Sequence, residues 1–168
     1  MTDTTQIKTR TGLRLDLRPV RENDGQALAA FFAAVSDDDR RFRFLSAAPT
    51  VNVEQLHDIT HCDHHHSETF LATDPGDGRI VAAATLAADE RRTLAEVAIS
   101  VRADRRGQGI GWCLLSHVAE QARLWGVSRL QAIESRANHA AIDLEREQGF
   151  VARPIEGDPS LILLERHF

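Results

Sequence analysis

The chain of 168 residues contains no tyrosine, one lysine, one methionine and two cysteines. No apolar run approaches the roughly 20 residues of a membrane span. Each scarcity removes a class of reading. Cys62 and Cys113 form neither a disulfide framework nor a zinc pattern by spacing, so both are expected to be reduced. With no long apolar run and a polar stretch from Met1 to Gly12, the chain is expected to be soluble, cytoplasmic and without membrane contact. Residues 1–12 are expected to form a flexible segment, and residues 13–168 a single domain. A formal net charge of −5 argues against non-specific nucleic-acid binding, which needs a basic face, and favours cationic partners. Among the 20 basic residues only Lys8 is a lysine, so nearly all fixed positive charge sits on guanidinium groups. The oligomeric state is not legible from any of this.

What is present in quantity is glycine in one place. Between Val101 and Gly111 the chain reads Val-Arg-Ala-Asp-Arg-Arg-Gly-Gln-Gly-Ile-Gly, a basic loop between an apolar strand pattern and a long amphipathic helix pattern. Glycines let the backbone approach a ligand closely, and the following helix offers unpaired N–H groups and the positive end of its dipole. Arg102, Arg105 and Arg106 add mobile positive charge, which makes the loop an anion cradle for a phosphate ester. Two common glycine loops are excluded by spacing. A dinucleotide fingerprint beginning at Gly107 needs glycine where Trp112 stands, and the Gly-Lys-Ser/Thr of a P-loop is absent.

Around this loop the pattern predicts an α/β (α+β) chain. Leu13 to Arg18 alternates as a strand closed by Pro19. Leu28, Phe31, Phe32 and Val35 mark a helix beginning near Asn23, and a second short segment runs from Arg40 to Leu45. Asn52, with Gln55 three residues on, reads as a capping box that opens a further helix. Strands are expected at Thr69–Thr73, Arg79–Ala87 and Thr93–Val101 as a meander, the first two joined by the turn cluster Asp74 to Gly78. A helix from Ile110 to Trp125 ends at Gly126. It is followed by a strand at Arg129–Glu134, a helix capped by Asn138 and ending before Gly149, and strands at Phe150–Arg153 and Leu161–Glu165. The order is written β-α-α-β-β-β-α-β-α-β-β, one mixed, mostly antiparallel sheet with helices on both faces.

The run Arg106-Gly107-Gln108-Gly109-Ile110-Gly111 fits Arg/Gln-x-x-Gly-x-Gly/Ala and resembles the acyl-CoA loop of the GCN5-related N-acetyltransferases (GNAT). The element order is similar to that family from Leu13 to Glu165. Leu17-Arg18-Pro19-Val20-Arg21-x-x-Asp24, Leu28-x-x-Phe31-Phe32 and Arg40-Arg41-Phe42-Arg43-Phe44 resemble the acetyltransferase domain of bacterial Pat-type protein lysine acetyltransferases. The resemblance implies acetyl-CoA as cosubstrate and an amine as acceptor, a protein lysine being favoured. A polyamine or aminoglycoside-like cation is the alternative, and a non-catalytic acyl-CoA-sensing module is a reading of another class. Acidic residues Asp37, Asp38, Asp39 and Asp63 favour either cationic acceptor.

The chemistry requires a neutral amine, and about one lysine in a thousand is neutral at about pH 7.4, so a carboxylate that takes the proton assists attack. Glu96 shares a strand face with the small residues Ala98 and Ser100, opposite Val97, Ile99 and Val101, and the resemblance gives it the role of catalytic base. The resemblance also implies cofactor binding by Val97, Ile99, Val101, Arg106, Gly107, Gln108, Gly109, Ile110, Gly111 and Asn138. It further implies a bulge that aims a backbone N–H near Val97 to Ile99 at the thioester oxygen. Asn138 is equally a helix cap. Where many family members carry a proton-donating tyrosine, this chain has Glu145, and water is an expected substitute. Five of the eight histidines lie between His57 and His66. His57, His61 and His64 form a conceivable ligand set, but a solvated loop explains them as well, and no metal is assigned.

Overall fold

Alternating and helical periodicities resolve into one sheet in the computed structural model, which describes residues 3–44 and 50–168. In chain order the strands are β1 (Thr5–Lys8), β2 (Arg14–Pro19), β3 (Ser67–Thr73), β4 (Ile80–Ala88), β5 (Leu94–Val101), β6 (Arg129–Ser135), β7 (Val151–Pro154) and β8 (Leu161–His167). The helices are α1 (Gly25–Ala33), α2 (Asp37–Phe44), α3 (Val53–Thr60), α4 (Ile110–Leu124) and α5 (His139–Glu147). The eight strands lie in the order β1-β2-β3-β4-β5-β6-β8-β7, antiparallel except for the β5–β6 pair.

Two elements correct the expected order. Thr5–Lys8, placed in a flexible segment, pairs with Arg14–Leu17 as an edge strand. Its backbone groups find ladder partners although its side chains bury little, which is why an apolar pattern was missing. A third helix also precedes the meander: the segment expected at Arg40–Leu45 begins at Asp37, and Leu45 lies outside the described residues. The capping box appears as read, Asn52 Oδ1 accepting from Gln55 N–H at 2.8 Å and Gln55 Oε1 accepting from Asn52 N–H at 2.9 Å.

Apolar residues fill both faces of the sheet. On one, Leu114, Leu115, Val118 and Ala122 of α4 pack against Val81, Leu86, Val97 and Leu130. On the other, Leu28, Phe31 and Phe32 of α1 meet Leu71, Ile80 and Ala83. Arg40 fastens α2 to α1 by donating from Nη1 to the carbonyls of Phe32 and Val35, at 3.2 and 3.3 Å, at the end of that helix. The Arg18 and Asp24 side chains form a two-pronged ion pair, both contacts 2.8 Å, and Arg21 N–H adds a bond to Asp24 at 2.7 Å. Burial alone would raise the Asp24 carboxyl, yet these donors hold it below the usual carboxylate range.

Candidate active site

Strands β5 and β6 run parallel through only three pairs, Leu94–Arg129, Ala95–Leu130 and Glu96–Gln131, and then separate. The sheet therefore opens into a fork with Glu96 at its apex. Arg102 N–H donates to Val81 of the β4 side, at 2.9 Å. By strand alternation the even-numbered residues of β5 bond toward β4, and the N–H and C=O groups of Val97, Ile99 and Val101 face the fork. No bulge achieves this. The β4–β5 register is continuous from Ala82–Val101 to Ala88–Ala95, which corrects the expected distortion near Val97 to Ile99. Parting from β6 frees those amides without one.

Beyond the fork the chain passes one short helical turn and enters the glycine loop. Gly107 and Gly109 take φ values of +76° and +80°, a left-handed conformation costly for other residues. The first helical bond of α4 is Cys113 N–H to Gly109 O at 3.2 Å. Among the described residues no acceptor meets the N–H groups of Arg106 through Trp112, so a consecutive run of amides is left for an anion. The space beside Gly107 holds no atom within 4 Å of where a Cβ would stand, and a Cβ on Gly111 would meet Leu144 of α5 at 3.2 Å. The first glycine thus keeps room open, and the second lets the two helices close together.

The arginines behave otherwise than expected. Arg102 pairs with Asp104, Arg105 with Asp74 and Arg106 with Asp39, so the cradle rests on backbone amides and not on mobile charge. The acids proposed to attract a cation are similarly committed: Asp37 to Arg40, Asp38 to Arg41, and Asp63 to the N–H groups of His65, His66 and Ser67.

A cavity of about 490 Å³ joins the fork to the loop. Its walls include Glu96, Val97, Ile99, Val101, Arg106, Gly107, Gly109, Ile110, Gly111 and Asn138. Gln108 is not among them: its carbonyl accepts from the Thr11 hydroxyl at 2.8 Å, and its side-chain Oε1 is buried without a partner. Sequence reasoning missed Arg10, Arg43 and Glu134, which also line the cavity. Arg10 lies two residues beyond β1, its guanidinium 4.0 Å from the Trp112 ring centroid. No local signal separates it from other surface arginines.

The charged groups at the fork come from both faces of the sheet. Glu96 shares its face with Ala98 and with Thr85 across the ladder, and Arg43 of α2 reaches that face, donating to Thr85 Oγ1 at 3.2 Å. Burial lowers the Arg43 guanidinium, while the charges of Glu96 and Glu134 counter that shift. Glu134 lies beyond the last β5–β6 pair, on the strand parity of Leu130 and Ala132, which face α4. Asn138 Nδ2 donates to Glu134 Oε2 at 3.2 Å, while its Oδ1 caps α5 by accepting from Ala141 N–H at 3.4 Å. From α5, Glu145 completes the group beside Glu134, and burial together with that neighbour pushes its carboxyl up.

Away from the fork, the histidine segment assembles differently from the conceived ligand set. The His57 and His61 rings stack at 3.9 Å, and His64 instead meets Glu68 at 2.8 Å, with the Cys62 sulfur 3.8 Å from the His64 ring nitrogen. The donor atoms of Cys62, His64 and Glu68 lie within 4.8 Å of one another and partner among themselves. No helix among the described residues is long and apolar enough to cross a membrane.

The Acetyltransferase (GNAT) family matches residues 22–150. Acetyltransferase PA5475 of Pseudomonas aeruginosa is 28% identical over 154 residues, which are 90% of this chain and 83% of that protein. The GNAT domain of S. lividans PAT superposes with a TM-score of 0.90 at 25% identity, over 98% of this chain and 97% of that one. A phosphinothricin acetyltransferase of Sinorhizobium meliloti, solved in complex with AcCoA, shares the fold at a TM-score of 0.74 and 19% identity, over 92% of this chain and 88% of that one. The forked sheet, its amide-lined loop and these matches agree: the chain belongs to the GNAT family of acetyltransferases, enzymes whose acyl donor is acetyl-CoA.

Proposed function

We propose that this acetyltransferase acylates a primary amine, with a protein lysine as the favoured acceptor, by direct attack on the thioester with Glu96 as general base. One observation carries the reading: Glu96, at the apex of the fork, lines the same cavity as Arg106, Gly107, Gly109 and Gly111 of the loop whose amides have no acceptor among the described residues. A pyrophosphate on those amides gains the helix dipole and up to seven donors. A pantetheine arm lying along β5 pairs with Val97, Ile99 and Val101 in the manner of an added strand. Asn138 keeps one Nδ2 hydrogen for that arm.

The thioester then sits at the apex. Glu96 removes a proton from the incoming ammonium, directly or through water, and the free amine attacks the carbonyl carbon. Negative charge collects on the carbonyl oxygen, where an N–H of Val97 or Ile99 is placed to meet it. The carboxyl groups of Glu96 and Glu134 stand with the Arg43 guanidinium at the apex, a polar end suited to a cationic acceptor.

The melting temperature with saturating acetyl-CoA is the first test. At a hundredfold its dissociation constant a ligand adds about 2.7 kcal/mol, a shift of several degrees for a chain of this size. A rise followed by CoA release with lysine peptides, polyamines or aminoglycosides assigns the acceptor class. No shift at millimolar acetyl-CoA refutes the donor site.

A further inference from the structure

We propose that Glu145, paired with Glu134, is the acid that gives its proton to the departing sulfur of coenzyme A; this rests on the acetyl transfer proposed above. Glu134 and Glu145 line one cavity with Glu145 buried, and two carboxyl groups held together out of water do not both keep a charge, so one of them carries a proton. The surroundings decide which one carries it. Glu134 accepts from Asn138 and faces Arg43, both of which stabilise an anion. Glu145 is 5% exposed, and its Oε2 has no donor within reach among the described residues. Nothing there stabilises a charge, so the proton resides on Glu145. Its burial and the adjacent Glu134 push its carboxyl up to about 11.

The placement suits a leaving group. Glu96 approaches the fork from the α2 face, whereas Glu134 and Glu145 come from the side of α4 and α5, and all three line one cavity. A thioester held between the strands has a base on one side and an acid on the other. As the C–N bond forms and the C–S bond breaks, the bonding pair goes to sulfur, and the Glu145 proton follows it to give the thiol. The amide nitrogen sheds its extra proton to Glu96 or water, and the carboxyl pair recovers one proton from solvent once the thiol leaves. A thiolate in water has a reference value near 8.5, and one expelled beside Glu134 is raised by burial and like charge, which favours its taking the proton.

Infrared difference spectra read this proton directly. The wild type is expected to show a protonated-carboxyl band at neutral pH that is missing from Glu145→Gln. That band shifts when CoA binds and stays in place when desulfo-CoA, which lacks the sulfur, binds. A missing band, or one that responds alike to both ligands, overturns the proposal while leaving donor binding intact. If CoA does not bind the wild type, the transfer reading falls and takes this proposal with it. With an amine acceptor that the wild type acetylates, Glu145→Gln keeps shape and neutrality but has no proton to give. It is expected to lower kcat roughly tenfold or more at unchanged KM for acetyl-CoA, and a retained kcat overturns the proposal.

Discussion

Holding a carboxyl neutral inside a cleft has a cost that depends on pH, and Glu145 makes it measurable. Its value in the folded chain lies far above the ordinary carboxylate value of 4.5, so the folded state binds more protons than the unfolded one. The linkage sign follows: its contribution is fully present below the ordinary value and is lost as pH rises toward about 11, with a slope of up to about 1.4 kcal/mol per pH unit. Glu145→Gln is therefore expected to melt above the wild type near pH 8, with the two curves converging near pH 4 in thermal scans. Asp24 has the opposite sign, because its depressed value makes its stabilisation present above the carboxylate range and lost on acidification. Asp24→Asn leaves the Arg18 guanidinium without its charge partner and is expected to cost about 3 kcal/mol by urea unfolding. At the apex, Glu96→Gln is expected to preserve acetyl-CoA binding and to slow transfer at least tenfold, read as kcat against KM. The position of Glu96 on a strand face shared with small residues was legible from alternation, while its role as base came from the family resemblance. The Glu134–Glu145 contact was not, since residues 11 apart on a strand and a helix meet only when β6 and α5 pack, and no spacing rule encodes that.

Among the elements, the glycine loop and the capped helices were the most legible, because their requirements are local. Gly109 needs a left-handed φ and Asn52 needs a donor three residues on, and both needs are written in adjacent residues. Gly109→Ala forces a side chain into that conformation, with the Thr9 Cβ at 3.5 Å, and is expected to cost about 1 kcal/mol and weaken acetyl-CoA binding in a calorimetric titration. The fork was not legible. Nothing in Leu94–Val101 or Arg129–Ser135 announces that pairing stops after Gln131, because the ladder partners come from chain segments more than 30 residues apart. The expected bulge came from the family resemblance, which carries no information about where β6 leaves β5 in this chain. The edge strand β1 failed for a related reason, as an exposed strand needs only backbone partners and leaves no apolar trace.

For the molecule as a whole, the first dozen residues matter more than their polarity implies. Thr9 is buried, the Thr11 hydroxyl holds the Gln108 carbonyl, and Arg10 stands over Trp112 at the cavity wall. Deleting residues 1–12 is expected to lower the melting temperature and weaken acetyl-CoA binding together, whereas removal of an unattached tail would leave both unchanged. The two ends of the cavity also differ in the kind of electrostatics they use. At the loop, fixed peptide dipoles are left for the donor, and Arg105 and Arg106 are already paired with aspartates; at the apex, the Glu96 and Glu134 carboxyl groups, with Arg43 beside them, are what the proposed cationic acceptor meets on a molecule of net charge −5. Oriented dipoles at contact range are weakly screened, while attraction between separated ions fades over a Debye length of about 8 Å at physiological salt. Ionic strength is thus a dial that turns acceptor capture without touching donor loading, so a cell's salt content would set how often a loaded enzyme meets its acceptor.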